Sequence, residues 1–147
     1  MAILKTADAL SQEAEQLIKS AGLTGAQYNV LRILRGAEPG GLLCRGISDR
    51  MISRDPDITR LLDRMEAHKL ITRQRQTEDR RVVKTRITAE GLKLLKKLDR
   101  PIHQLHKKQF GRLSSARLKQ LAELLTDVQK REPPEALQTS NESIHDE

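Results

Sequence analysis

Aromatic side chains are almost missing from this 147-residue chain, which has one Tyr, one Phe and no Trp. Recognition of unpaired bases by stacking needs exposed aromatic platforms, so single-stranded nucleic acid is a poor match. One cysteine, Cys44, excludes an intramolecular disulfide and fits a reducing compartment. No run of about 18 apolar residues occurs, so no segment reads as a membrane-spanning helix and no membrane partner is expected. Lys5, Asp8 and Glu13 interrupt the first residues, which lack the apolar centre of a signal peptide. The expected location is the cytoplasm. A glycine-rich phosphate loop, a nucleophile elbow and a paired-Cys zinc pattern are all missing. His68, His103, His106 and His145 lack the partner patterns of acid–base catalysis. An enzyme is therefore the least supported class, and no cofactor is expected.

Positive charge is abundant. The formal net charge is +7, and it is unevenly placed. Five acids and no Lys or Arg lie between Glu132 and Glu147, so the rest of the chain carries +12, the whole-chain +7 plus those five. Between Arg45 and Arg86, ten of twelve Lys and Arg residues are Arg, whose planar fork suits phosphates and guanine edges. A polyanionic partner follows.

Apolar periodicity orders the chain. Residues 3, 7, 10, 14, 17 and 21 alternate spacings of four and three, the seam of a helix packed on other helices, and Gly22 closes it. Thr24 can cap a second helix with Tyr28, Val30, Leu31 and Leu34 on its buried face. Glu38-Pro39-Gly40-Gly41 breaks the pattern. Leu42-Leu43-Cys44 suggests a very short strand and Ile47 to Ser53 a short helix. Asp55 then reads as an N-cap and Pro56 as the first residue of a helix buried through Ile58, Leu61, Leu62 and Met65. Thr59, Arg60, Asp63 and Arg64 face outward. Ile71 to Thr77 and Val82 to Ile87 alternate as strands, with Glu78 to Arg81 at the tip. A long helix opens at Thr88, with a kink expected at Pro101, and runs to about Gln109. A last helix starts at Ser114 or Ser115 and carries Leu118, Leu121, Leu125 and Val128; Pro133-Pro134 ends it. The fold class is mainly α with a small β-hairpin wing: a winged helix-turn-helix with a helical dimerisation region. The expected division is an N-terminal dimerisation helix (1–22), a DNA-binding winged region (23–90), C-terminal dimerisation helices (91–131) and an acidic disordered tail (132–147).

The pattern Asp79-x-Arg81, then Ile87-Thr88 and Glu90-Gly91, resembles the wing of the MarR (multiple antibiotic resistance regulator) family of bacterial winged-helix transcription factors. Leu23-Thr24-x-x-Gln27-Tyr28-x-x-Leu31 resembles the family's second helix. Asp57 to Glu66 resembles its recognition helix. Three matches in order are far more specific than one. The resemblance implies a homodimer with interlocking terminal helices on a pseudo-palindromic operator. It also implies repression, relieved when a small, often aromatic acid binds between the dimer and DNA-binding parts.

A helix able to lie in the major groove beside a cationic finger is what a duplex-DNA reader needs. On the helix, Asp57, Thr59, Arg60 and Arg64 are candidates for groove contacts. Asp57 also suits the helix dipole in a first turn, and Asp63 and Glu66 are placed to satisfy some arginines within the helix. At the tip, Arg81 is expected in the minor groove with Asp79 fixing its guanidinium, or Arg80 makes the contact instead. Arg45, Arg50, Arg54, Arg73, Arg75 and Arg86 read as phosphate-facing. About six neutralised phosphates would give a log–log salt slope near −5. Tyr28 and Arg32 are candidates for lining a ligand pocket, with Arg32 for a carboxylate. Asp99, His103 and His106 share a helix face, but a helical His-x-x-His with no Cys or further His close in sequence is a weak metal signal, and no metal is expected. Two alternatives stand beside the DNA reader. One is a winged helix that binds an acidic protein without sequence-specific DNA affinity. The other is a redox-responsive regulator using Cys44, whose bland counterpart is a small apolar residue in a short strand.

Overall fold

The computed structural model describes residues 1–37, 39–52, 57–76 and 81–130. They fall in two compact units, Met1–Gln109 and a second that begins at Phe110. In the first unit, α1 (Ala2–Ser20) ends where Gly22 turns left-handed at φ +78°. The Leu23 N–H donates to the Ile18 carbonyl at 3.3 Å and the Gly22 N–H to the Lys19 carbonyl at 2.9 Å. That pair of bonds is a Schellman motif, which satisfies the last free carbonyls of the helix. α2 (Gly25–Arg35) opens with the expected Thr24 cap as a complete capping box. The Gln27 N–H donates to Thr24 Oγ1 at 3.2 Å, and the Thr24 N–H to Gln27 Oε1 at 2.9 Å.

The short elements differ from their expected bounds. β1 is Leu42–Leu43, and α3 is Cys44–Ser48. Cys44 is thus the first residue of a helix and not the last of a strand; it is half-buried. α4 (Ile58–Ala67) starts later than the Asp55-Pro56 pair suggests. Its cap is Asp57, whose Oδ1 accepts the Arg60 N–H at 3.2 Å. Asp55 and Pro56 lie outside the described residues. β2 (Ile71–Arg75) and β3 (Val83–Ile87) form the wing, and β1 pairs on the far side of β3. The sheet is antiparallel in the order β1-β3-β2, with Ile71 opposite Ile87 and Arg73 opposite Thr85, so β2 is an edge strand. α5 (Ala89–Phe110) continues through Pro101.

Val30, Leu31, Ile47, Leu61, Leu62, Met65, Ile71 and Leu95 are fully buried and form one core, which joins α2, α3, α4, the sheet and α5. The Arg35 guanidinium donates to both Asp99 oxygens at 2.9 Å, tying α2 to α5. The C-terminal half of α1 joins the core through Ile18, while Met1, Ile3 and Leu4 stay exposed. In the second unit, α6 (Ser115–Gln129) is capped by Ser114 and has no buried residue of its own. Leu121, Leu124, Leu125 and Val128 are exposed along it. No helix among the described residues is long and apolar enough to cross a membrane.

Candidate nucleic-acid interface

The buried stripe of α4 (Leu61, Leu62 and Met65, with Ile58 half-buried beside them) fixes which side chains look outward. At 100° per residue, Arg60 and Arg64 fall on one edge of the exposed surface, and Asp63 and Glu66 on the other. Thr59, Arg60, Asp63 and Arg64 are all exposed. The Arg60 side chain is 78% exposed, and its Nε lies 3.0 Å from Asp57 Oδ2. Asp57 therefore serves as cap and as the partner of Arg60. Among the described residues, Arg64 and Arg75 pair with no carboxylate.

The acidic edge faces β2. Glu66 Oε1 accepts the backbone N–H of Arg73 at 2.9 Å, and Glu66 Oε2 accepts its Nε at 2.8 Å. The Arg73 terminal nitrogen donates to Asp63 Oδ1 at 2.6 Å and lies 2.7 Å from Glu66 Oε2. The Glu66 hydrogen bond, with help from Asp63, raises the Arg73 guanidinium above its already high ordinary value. Arg73, expected to face phosphate, turns its side chain across to α4, and Asp63 and Glu66 pair with it and not with the helix's own arginines. The signal was present in the sequence. Strand alternation puts Arg73 on the same side as Ile71, which is buried, and not with Thr72 and Gln74.

Arg75 stands one pleat further out on the same side as Arg73 and is exposed. Lys84 and Arg86 occupy the opposite face of β3, and Arg86 Nε donates to the Gly40 carbonyl at 3.4 Å. Arg81 is exposed where the wing returns to β3. Arg45 and Arg50 are exposed at α3, with Arg45 loosely paired to Asp49 at 3.9 Å. Arg54, Asp79 and Arg80 lie outside the described residues. At the base of the wing, Thr88 Oγ1 donates to the Lys69 carbonyl at 2.7 Å and accepts the Gly91 N–H at 3.1 Å. Thr88 so links the end of α4 to the start of α5.

A cavity of about 520 Å³ opens elsewhere in the first unit, lined in part by Ile18, Tyr28, Arg32, Met51, Ile102 and His106. Both expected pocket residues are in it. The Arg32 guanidinium carbon stands 5.8 Å from the centre of the Tyr28 ring, within cation–π range. Asp99, held by Arg35, is not among the lining residues. No cluster of three metal-ligating side chains occurs among the described residues.

A helix-turn-helix core with a three-stranded wing and an arginine-bearing outer helix face defines a winged-helix transcription regulator. A family model described as MarR family matches residues 21–82. The HTH-type transcriptional repressor IacR of Pseudomonas putida is 30% identical over 118 residues, which are 80% of this chain and 70% of that protein. A MarR transcription factor from Planctomyces limnophilus is 40% identical, with a TM-score of 0.64 over 84% of this chain and 90% of its own. The Bordetella bronchiseptica regulator BpsR, solved to explain regulation of its DNA binding by 6-hydroxynicotinic acid, has the same fold. It is 22% identical, with a TM-score of 0.77 over 89% of this chain and 92% of its own. This chain belongs to the MarR family of transcription regulators, a family of DNA-binding proteins and not of enzymes.

Proposed function

We propose that the chain acts in the cytoplasm as a homodimeric repressor that reads a pseudo-palindromic operator and releases it when a small, often aromatic acid binds. The observation that carries this reading is the exposed basic edge of α4: Arg64 is exposed with no carboxylate partner among the described residues, next to a wing that presents Arg75 and Arg81. Thr59, Arg60 and Arg64 would meet base edges, Arg60 by leaving Asp57. Arg75 and Arg81 would meet the backbone or the minor groove, with Arg54, Asp79 and Arg80 assigned there on the sequence pattern alone.

Dimerisation is supported by apolar surface that the single chain leaves uncovered. Met1 at the cap of α1, Ile3 and Leu4 on it, and Leu121, Leu124, Leu125 and Val128 on α6, are exposed. Each Å² of such surface removed from water contributes about 25 cal/mol. Two-fold pairing would also repeat the recognition unit as a palindrome requires. Ligand release is supported by the cavity, where Arg32 offers a charge for a carboxylate and Tyr28 an aromatic wall.

Sedimentation together with gel shift against the chain's own upstream DNA, in excess competitor duplex, tests the whole reading. The expected result is a dimer whose operator complex survives competitor and dissociates on addition of an aromatic acid such as 6-hydroxynicotinic acid. A stable monomer, or equal binding to operator and random duplex, would refute it.

A further inference from the structure

We infer that Arg73 is a positioning residue: it locks the edge strand of the wing to the recognition helix through Asp63 and Glu66, and it does not touch DNA. The inference rests on the operator-reading function proposed above and adds a division of labour among its arginines.

The geometry accounts for the backbone amide, the Nε and one terminal nitrogen of the residue. β2 is an edge strand, so backbone N–H groups on its free side have no partner in the sheet. At Arg73 that N–H is taken by Glu66 Oε1, and the other oxygen of the same carboxylate takes the side-chain Nε. Asp63, one turn earlier, takes the terminal nitrogen. One guanidinium and one backbone amide are thus fixed by two carboxylates from a single helix. A side chain only 26% exposed in such a fork has little left to offer a phosphate. To reach DNA, Arg73 would have to leave two carboxylates unpaired on the helix that faces the polyanion.

The consequence is that α4 and β2 are presented to DNA as one rigid piece. Groove contacts from the helix and backbone contacts from the wing must fit the duplex together, which makes the clamp a determinant of sequence discrimination.

The test compares operator and random-duplex affinities for Asp63→Asn/Glu66→Gln, for Arg73→Gln and for the triple variant, below the melting point of each. The double variant removes two negative charges per protomer and frees Arg73. If Arg73 were a phosphate contact, operator affinity would hold or rise. The expected result is that random-duplex affinity holds or rises, while the operator-to-random ratio falls roughly tenfold, the size of a lost base-pair contact. Arg73→Gln lowers that ratio similarly, and the triple variant loses no more than either alone. An unchanged ratio in the double variant, or additive losses in the triple, would overturn the inference. Should the unmutated protein itself not prefer its operator, the failure lies with the proposed function and not with the clamp.

Discussion

Replacing Gly91 with Ala should destabilise the fold strongly even though alanine is the better helix former. A Cβ built on Gly91 would stand 2.5 Å from the Leu70 carbonyl oxygen, 2.9 Å from Ile87 Cγ1 and 3.1 Å from Leu31 Cδ2. The first contact is with backbone, and that carbonyl is already committed: it accepts the Thr88 N–H at 3.1 Å and lies 2.9 Å from Thr88 Oγ1. Relieving the clash means moving the α4–β2 junction or the start of α5. Overpacking of this kind costs about 1–3 kcal/mol. Weakening the two Thr88 bonds adds about 1 kcal/mol each, and the helix-propensity gain returns about 1 kcal/mol. The net is a loss of roughly 2–4 kcal/mol, or about 5–15 °C in Tm for a chain of this size. Thermal melts followed by circular dichroism, at one fixed protein concentration, read it directly. Gly25→Ala is the control, because nothing lies within 4 Å of its Cβ; it should hold or raise Tm. If Gly91→Ala melts with the control, the close approach described at the wing base is wrong.

Lys69 ends α4 in the left-handed region at φ +58°, where its N–H donates to Glu66 and that of Leu70 to Met65 in a Schellman turn. Glycine suits that position better, so Lys69→Gly should raise stability by about 0.5–1 kcal/mol in the same melts. Arg64→Ala should weaken operator binding by about 1–3 kcal/mol and relax the preference at one base position, measured by competition with single-substitution operators. A charge placed in the apolar row of α6, as in Leu125→Asp, should shift the sedimentation coefficient towards monomer at micromolar concentration. Operator affinity should fall with it.

Much of this fold was legible because local rules and tertiary packing agree. Thr24 and Gln27 make the capping box that their spacing implies, and Val30, Leu31 and Leu34 are the buried stripe of α2. The start of α4 was misread for a physical reason. Asp55 and Asp57 are both good caps, and Pro56 favours a first turn, so sequence alone does not choose between them. Packing of Ile58, Leu61 and Leu62 chooses, and Asp57 is the residue left beside the free Arg60 amide. Cys44 was misassigned because Leu-Leu-Cys has no helical period of its own, and α3 is held by the burial of Ile47. Pairings across long stretches of sequence, such as Arg35 with Asp99, leave no periodic trace. The walls of the cavity are of the same kind, drawn from α1, α2, α5 and the Met51-Ile52 segment after α3.

Charge totals mislead most at the place where function is proposed. From Asp57 to Arg75 the three acids Asp57, Asp63 and Glu66 offset Arg60, Arg64 and Arg73 in number, and only Lys69 and Arg75 tip the balance. A net +7 therefore says little about how this surface meets DNA; the arrangement decides. Asp57 caps the helix and holds Arg60 outward, while Asp63 and Glu66 are covered by Arg73. What remains open along the helix is a narrow basic edge headed by Arg64. Such an edge adds little to salt-dependent attraction, which falls to the wing and flanking arginines. It does place one bidentate donor where a base can be read. Binding strength and discrimination would then reside in different arginines of one rigid unit.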